Sequence, residues 1–273
     1  MLHLARQIVR VVSTGCAYAS FFLGGALLGW IVLPIVSLSA GSQTRAERRC
    51  RRVVRSAWIL FHDVLRIFRV LDYDPRRVRG TLPAGPCLLV SNHPSLLDVT
   101  AIAAALPDLT LVAKTSMYRA PVLGRLLRLC GYVEADDRSP FSGAATAAGC
   151  LAQLEKGVPV LIFPEGTRSP ARGLGAFGTG AFQIAERARV PVVPLLIRFE
   201  PPNLLRGQAW YAIPSATPHM TMEILPPTPP GGVGASEVAR RLREVYGHRL
   251  GYDLPPTEAR SHEMAPDASP TVG

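Results

Sequence analysis

The chain has 273 residues, enough for one substantial core or one core with an appended element, and no internal repeat divides it. Its formal net charge is +10, and Lys114 and Lys156 are the only lysines, so arginine carries nearly all the positive charge, a balance that suits a phosphate-rich partner. Cys16, Cys50, Cys87, Cys130 and Cys150 are scattered through apolar stretches with no CxxC or Cys/His cluster, which argues against a disulfide framework or a metal site and for buried thiols in a reducing compartment.

From Val11 through Thr44 no side chain is charged, and the 23 residues Cys16 to Leu38 are long enough to cross a bilayer as a helix. The run is too long for a signal peptide and no small-residue cleavage box closes it. Between residues 45 and 79 arginines outnumber acids by 11 to 4, and Val54, Trp58, Phe61, Leu65 and Phe68 recur at helical spacing. A basic cluster directly behind an apolar segment suits anionic lipid headgroups rather than nucleic acid, and it places that side of the membrane in the cytoplasm. Two geometries remain open. The apolar segment either spans the bilayer or folds with the next helix into a hairpin set in one leaflet, with Pro34 and Gly24-Gly25 allowing a bend or a close helix contact.

Beyond residue 78 short apolar strands alternate with helices. "PCLLV" reads as a strand that breaks at Asn92 and His93, with a helix from Asp98 whose first turn or cap is supplied by Pro94 and Ser95. "LTLVA" is a strand ahead of Lys114, and "APVLGRLLRLCGYVEADD" a helix and a strand running into acids. "SGAATAAGCLAQLEKG" is a helix, "VPVLIF" a strand opening into "PEGTRS", "GAFQIAERARV" a helix and "PVVPLLIRF" a strand. The alternation predicts an α/β domain with a mostly parallel sheet flanked by helices, following an N-terminal membrane-associated helical hairpin. Gly173, Gly175, Gly178 and Gly180 read as a flexible lid-like stretch, and Arg119, Arg125 and Arg128 as a solvated or membrane-facing surface. Residues 201–230 hold two short apolar or strand-like pieces among prolines, residues 235–250 a last amphipathic helix, and the tail from Pro255 a disordered segment. The expected division is 1–72 for the membrane-associated helices, 78–250 for the catalytic domain and 255–273 for the tail.

Ligands of such sheets bind beyond the carboxyl ends of strands, where both His93 and Glu165 to Arg168 fall. A histidine fixed there can take a proton from an attacking hydroxyl if Asp98 folds back to hold its ring in one tautomer. Read alone, the same pair could simply cap a helix. A serine nucleophile lacks its GxSxG elbow.

The ordered set of motifs resembles the glycerolipid acyltransferase superfamily, which includes the lysophosphatidic acid and glycerol-3-phosphate acyltransferases. Its Asn-His-four residues-Asp block is matched by Asn92, His93 and Asp98, its Phe-Pro-Glu-Gly-Thr-Arg-Ser block by Phe163 to Ser169, and its Val-Pro-x-x-Pro block by Val190, Pro191 and Pro194. The resemblance covers about residues 80 to 200. It implies acyl transfer from acyl-CoA or an acyl-carrier protein to the hydroxyl of a lysolipid, with His93 as base, Asp98 as its orienter, and Asn92, Lys114, Glu165, Gly166, Thr167 and Arg168 binding substrate. No cofactor beyond the donor thioester and no metal is implied. Expected partners are the bilayer, the lysolipid acceptor and the donor, at the cytoplasmic face of the inner membrane. One departure concerns the acceptor: Asp137 stands where the family carries an arginine, with Arg138 one position later. A carboxylate there repels a phosphate, so 1-acylglycerol-3-phosphate as acceptor competes with an amino-acid lipid, a glycolipid or another amphiphile, and with a non-catalytic lipid-binding homologue.

Overall fold

A computed structural model describes residues 2–135, 143–171, 173–205, 207–209, 211–214 and 216–252. The N-terminal apolar run is one long helical element. Helix α1 (Leu2–Leu27) passes through a π-helical turn (Leu28–Val32) into α2 (Leu33–Leu38), and the stretch Val9–Leu38 is long and apolar enough to cross a membrane. After a turn at residues 39–42, α3 (Gln43–Ile67) runs back alongside it, capped by Ser42 accepting from the Arg45 N–H. Phe21 stacks on Trp58 with ring centroids 5.5 Å apart and meets Phe61 edge-on, so the two arms form a hairpin.

The glycines of the hairpin act differently from one another. A Cβ on Gly25 would come within 3.0 Å of Val122, and one on Gly29 within 3.2 Å of the Val122 carbonyl oxygen, whereas Gly24 has nothing within 4 Å. Gly25 and Gly29 thus let the hairpin press against α6 (Leu123–Leu129) of the following domain. Trp30 closes the contact by donating to the Pro121 carbonyl, while the Arg125 guanidinium lies 4.8 Å over its ring.

The arginine cluster behind the apolar segment lies on α3, and one member is internal: Arg51 is buried, paired with Asp108 at 2.9 Å and donating to the Cys130 carbonyl, while Arg45, Arg49 and Arg52 remain exposed. Phe68 lies just past the helix and is exposed; Val54, His62 and Leu65 supply the buried stripe. Of the cysteines, Cys16 is exposed on the hairpin and the other four are buried.

The domain that follows is a six-stranded sheet in the order β3-β2-β4-β1-β5-β6, parallel except for β6. Its strands are β1 (Leu88–Ser91), β2 (Thr110–Lys114), β3 (Val133–Ala135), β4 (Val160–Ile162), β5 (Val192–Glu200) and β6 (His219–Ile224). Both faces of β1 and β4 are buried, which is why these strands read as unbroken apolar runs. Helices α3, α4 (Asp98–Ala105) and α6 cover one face; α7 (Ala144–Glu155), α8 (Gly180–Ala188) and α9 (Ala235–Leu250) cover the other. Among the described residues 201–230 His219–Ile224 forms a strand.

The chain leaves β1 into α4 on one face and leaves its neighbour β4 toward α8 on the opposite face. Their paired ends, Val90 beside Ile162, therefore open a crevice where the connections diverge, the place at which open α/β sheets bind ligands.

Candidate active site

Strand β1 delivers His93 to one lip of this crevice. Asn92, buried, donates from its carboxamide to the Ile197 carbonyl and accepts from the Ile197 N–H, both at 2.8 Å, so it extends the pairing of β1 with β5 by one place. The chain then turns, and helix α4 starts at Asp98 rather than at Pro94 or Ser95, which form the preceding turn. From that first residue the Asp98 carboxylate folds back: Oδ2 accepts from the Ser95 N–H at 2.8 Å and from His93 Nδ1 at 3.0 Å. Because a carboxylate accepts, Nδ1 carries the proton and Nε2 keeps its lone pair for a substrate proton. The imidazole stacks on Phe163, ring centroids 4.2 Å apart.

Asp98 is fully buried, and its Oδ1 has no hydrogen-bond partner among the described residues. Burial raises its pKa, against the opposing pull of His93 and the Ser95 N–H. The carboxylate therefore gains most when the ring beside it becomes positively charged, as a base does on taking a proton.

Strand β4 supplies the other lip. Phe163 to Gly166 forms a turn closed by the Gly166 N–H donating to the Phe163 carbonyl, with Gly166 at φ +66°, a conformation that favours glycine. Glu165 reaches back across the crevice, accepting from the Ser169 hydroxyl, the Gly175 N–H at 2.7 Å and the His93 N–H at 3.3 Å. The Ser169 N–H donates to the His93 carbonyl at 2.8 Å, so both motifs hold each other through the backbone.

The sequence-derived substrate contacts sort unevenly. The carboxamide of Asn92 is engaged by the Ile197 backbone, and the carboxylate of Glu165 by the Ser169 hydroxyl and two backbone N–H groups. Arg168 lies at the crevice with Nη1 donating to the carbonyls of Leu204 and Leu205 at 3.1 and 3.2 Å. Thr167 is exposed beside it. Lys114 ends β2, exposed and two strand positions from β1, a separation of about 10 Å. Asp137 and Arg138 lie outside the described residues. The glycines after Arg172 are no lid: Leu174 and Phe177 are buried and Gly175 binds Glu165. Arg125 and Arg128 are likewise engaged, the first on Trp30 and the second donating to the Tyr118 carbonyl; Arg119 is exposed.

Residues 75–198 match the protein-family model described as Acyltransferase. The chain is 38% identical over 112 residues to the chloroplastic 1-acyl-sn-glycerol-3-phosphate acyltransferase BAT2 of Brassica napus, covering 41% of this chain and 33% of that one. It is 30% identical over 186 residues to a 1-acyl-sn-glycerol-3-phosphate acyltransferase of Chlamydomonas reinhardtii (68% and 54%). Over this region the chain is similar to the PlsC-like glycerolipid acyltransferases. It spans roughly a third to a half of the length of these two relatives. Its fold is that of the 1-acyl-sn-glycerophosphate acyltransferase PlsC of Thermotoga maritima, with a TM-score of 0.69 at 19% identity over 91% of this chain and 96% of that one.

Two groups near the site escaped sequence reading. Ser169 closes the family block but gives no hint that its backbone and hydroxyl hold His93. His62, on α3, is fully buried and hydrogen-bonds through Nε2 to Thr100 of α4 at 3.1 Å. A lone histidine on an apolar helix face carries no signal of its partner 38 residues away.

Proposed function

We propose that this chain is a membrane-associated O-acyltransferase that moves a fatty acyl group from a thioester, acyl-CoA or acyl-carrier protein, to the hydroxyl of a lysolipid. The observation that carries the reading is the His93–Asp98 pair held at the carboxyl end of β1 and facing the Glu165 to Arg168 turn of β4. His93 Nε2 takes the acceptor's hydroxyl proton while that oxygen attacks the thioester carbonyl. The imidazolium, held by Asp98, returns the proton to the departing thiolate, so an oxygen ester and a free thiol are the products and no acyl-enzyme is needed. The apolar hairpin and the exposed arginines of α3 suit attachment to an anionic leaflet, with the catalytic domain on its cytoplasmic side.

The relatives' names make 1-acylglycerol-3-phosphate the first acceptor to test, and Arg168 the natural phosphate partner, since its planar fork binds phosphate bidentately. A second reading has its own support. Asp137 replaces an arginine of the family pattern, and Nη1 of Arg168 is already taken by two carbonyls, a combination that favours an acceptor without a phosphate. The test is product formation from palmitoyl-CoA with lysophosphatidic acid or with monoacylglycerol, each product identified by mass. Preference for lysophosphatidic acid supports the first reading, preference for the neutral lipid the second, and no acylated product from either contradicts both acceptor assignments.

A further inference from the structure

A cavity of about 260 Å3 adjoins the site on the side away from the hairpin. Its walls touch both motifs, at Asn92 and Pro94 and at Ser169, and continue through Leu174, Arg198 and Tyr252. All its lining residues fall between Asn92 and Tyr252, so α1, α2 and α3 take no part in it. At this volume it is below the ~300–1,000 Å3 of pockets that engulf a drug-sized molecule, which suits a narrow linear segment. Its lining combines apolar residues such as Leu174, Ile197 and Leu250 with the polar Ser169, Arg198 and Glu200, a mixture that suits a chain carrying both amides and methyl groups.

Past the end of β1, no other strand among the described residues pairs with the edge of β5 beside this cavity. Leu225 pairs with Pro194 through the β6 side of β5, which turns the alternate residues toward β1. Among those, Leu195 lies opposite the last residue of β1, Ser91, and Ile197 is met by the Asn92 carboxamide. The next in phase is Phe199, which lines the cavity; the same alternation turns its N–H and C=O to the β1 side, beyond the point where β1 has ended. An extended amide-bearing chain can add to such an edge as a short strand. Arg198, exposed on the α9 side and anchored by donating to the Arg249 carbonyl, supplies a cation at the rim.

We infer that this cavity receives the phosphopantetheine arm of the acyl donor, its amides pairing with Phe199 along the β5 edge, its phosphate meeting Arg198 and its thioester reaching His93 past Pro94. The inference rests on the thioester-dependent reading above. The arm is common to coenzyme A and to acyl-carrier protein; it enters from the α8/α9 side while the lysolipid arrives from the hairpin side.

The test compares palmitoyl-CoA, palmitoyl-carrier protein and palmitoyl-2-mercaptoethanol, which lacks the amides, as donors for the detergent-purified full chain. Two exposed positions are varied, Ala171→Trp to fill the rim and Arg198→Gln to remove the cation. Loss of one charge-assisted hydrogen bond, about 1.5 kcal/mol, corresponds to about a tenfold rise in KM. Both variants are expected to raise KM for the two pantetheine donors about tenfold while KM for the lysolipid and kcat/KM for the amide-free thioester hold; thermal melts check that each variant is folded. Whichever of the two pantetheine donors has the lower KM with the unaltered chain is the physiological source of the arm. Unchanged donor KM values in folded, active variants overturn the assignment of the cavity. An unaltered chain that consumes none of the three thioesters removes the catalytic reading itself, and this inference with it.

Discussion

Asp98 Oδ2 binds two donors at once, the Ser95 N–H at 2.8 Å and His93 Nδ1 at 3.0 Å, so the turn between the histidine and its carboxylate is closed by the same atom that sets the tautomer. In Asp98→Asn one amide atom must serve both donors, and the side chain has lost the charge that stabilises an imidazolium. A fall in kcat on the order of 10²–10⁴-fold is expected, with thiol release at saturating donor and acceptor as the measure. A rate within twofold of the unaltered chain would mean that Asp98 only closes the turn.

Glu165 gathers the Ser169 hydroxyl, the Gly175 N–H and the His93 N–H. Glu165→Gln keeps the shape but presents an NH₂ group to one set of donors, leaving at least one buried donor unpaired at a cost of about 1–3 kcal/mol. Scanning calorimetry should show a lower Tm, and kcat should fall with it because the His93 backbone loses its brace. Unchanged Tm and kcat would contradict a bracing role.

The hairpin glycines offer a matched pair. Gly29→Leu forces a side chain against the Val122 carbonyl and should separate the hairpin from α6, whereas Gly24→Leu projects into open space. Both variants are expected to float with lipid vesicles, with activity on a membrane-embedded acceptor reduced severalfold only in Gly29→Leu. Equal activity in the two would show that hairpin docking does not matter to turnover.

Much of the site was legible because its parts are local. Five residues separate His93 from Asp98, and one seven-residue block carries Glu165 and Arg168, so a short motif suffices to report each lip. What joins the lips is not local. Asn92 meets Ile197 and Tyr246 meets Val90 across separations of 105 and 156 residues, and no periodicity encodes such pairs. The inward turn of Arg51 was not legible, because its partners Asp108 and the Cys130 carbonyl lie 57 and 79 residues further along the chain. The glycine stretch after Arg172 was read as mobile because composition does not show that a carboxylate collects its backbone.

His62 gives a pH signature. Thr100 Oγ1 donates to the Leu97 carbonyl, so it accepts from His62 Nε2–H, leaving Nδ1 buried with no partner among the described residues. Burial pushes the His62 pKa down to about 4, with the Asp63 carboxylate opposing only in part. From pH 6.5 down to about 4 the unfolded chain binds a proton that the folded chain refuses, so stability falls with pH across this window by about 3 kcal/mol. The Tm of the unaltered chain should drop between pH 7 and pH 5 by several degrees more than that of His62→Leu. Parallel melting profiles would contradict the buried neutral state.

The most direct measurement is thiol release from palmitoyl-CoA and from a palmitoyl-carrier protein, with and without lysolipid, by the unaltered chain and by His93→Ala. Acceptor-dependent release that disappears in His93→Ala while the variant still partitions to membrane is the expected result. Release that survives the substitution, or no acceptor-dependent release from the unaltered chain with any lysolipid supplied, would contradict a His93-based acyl transfer.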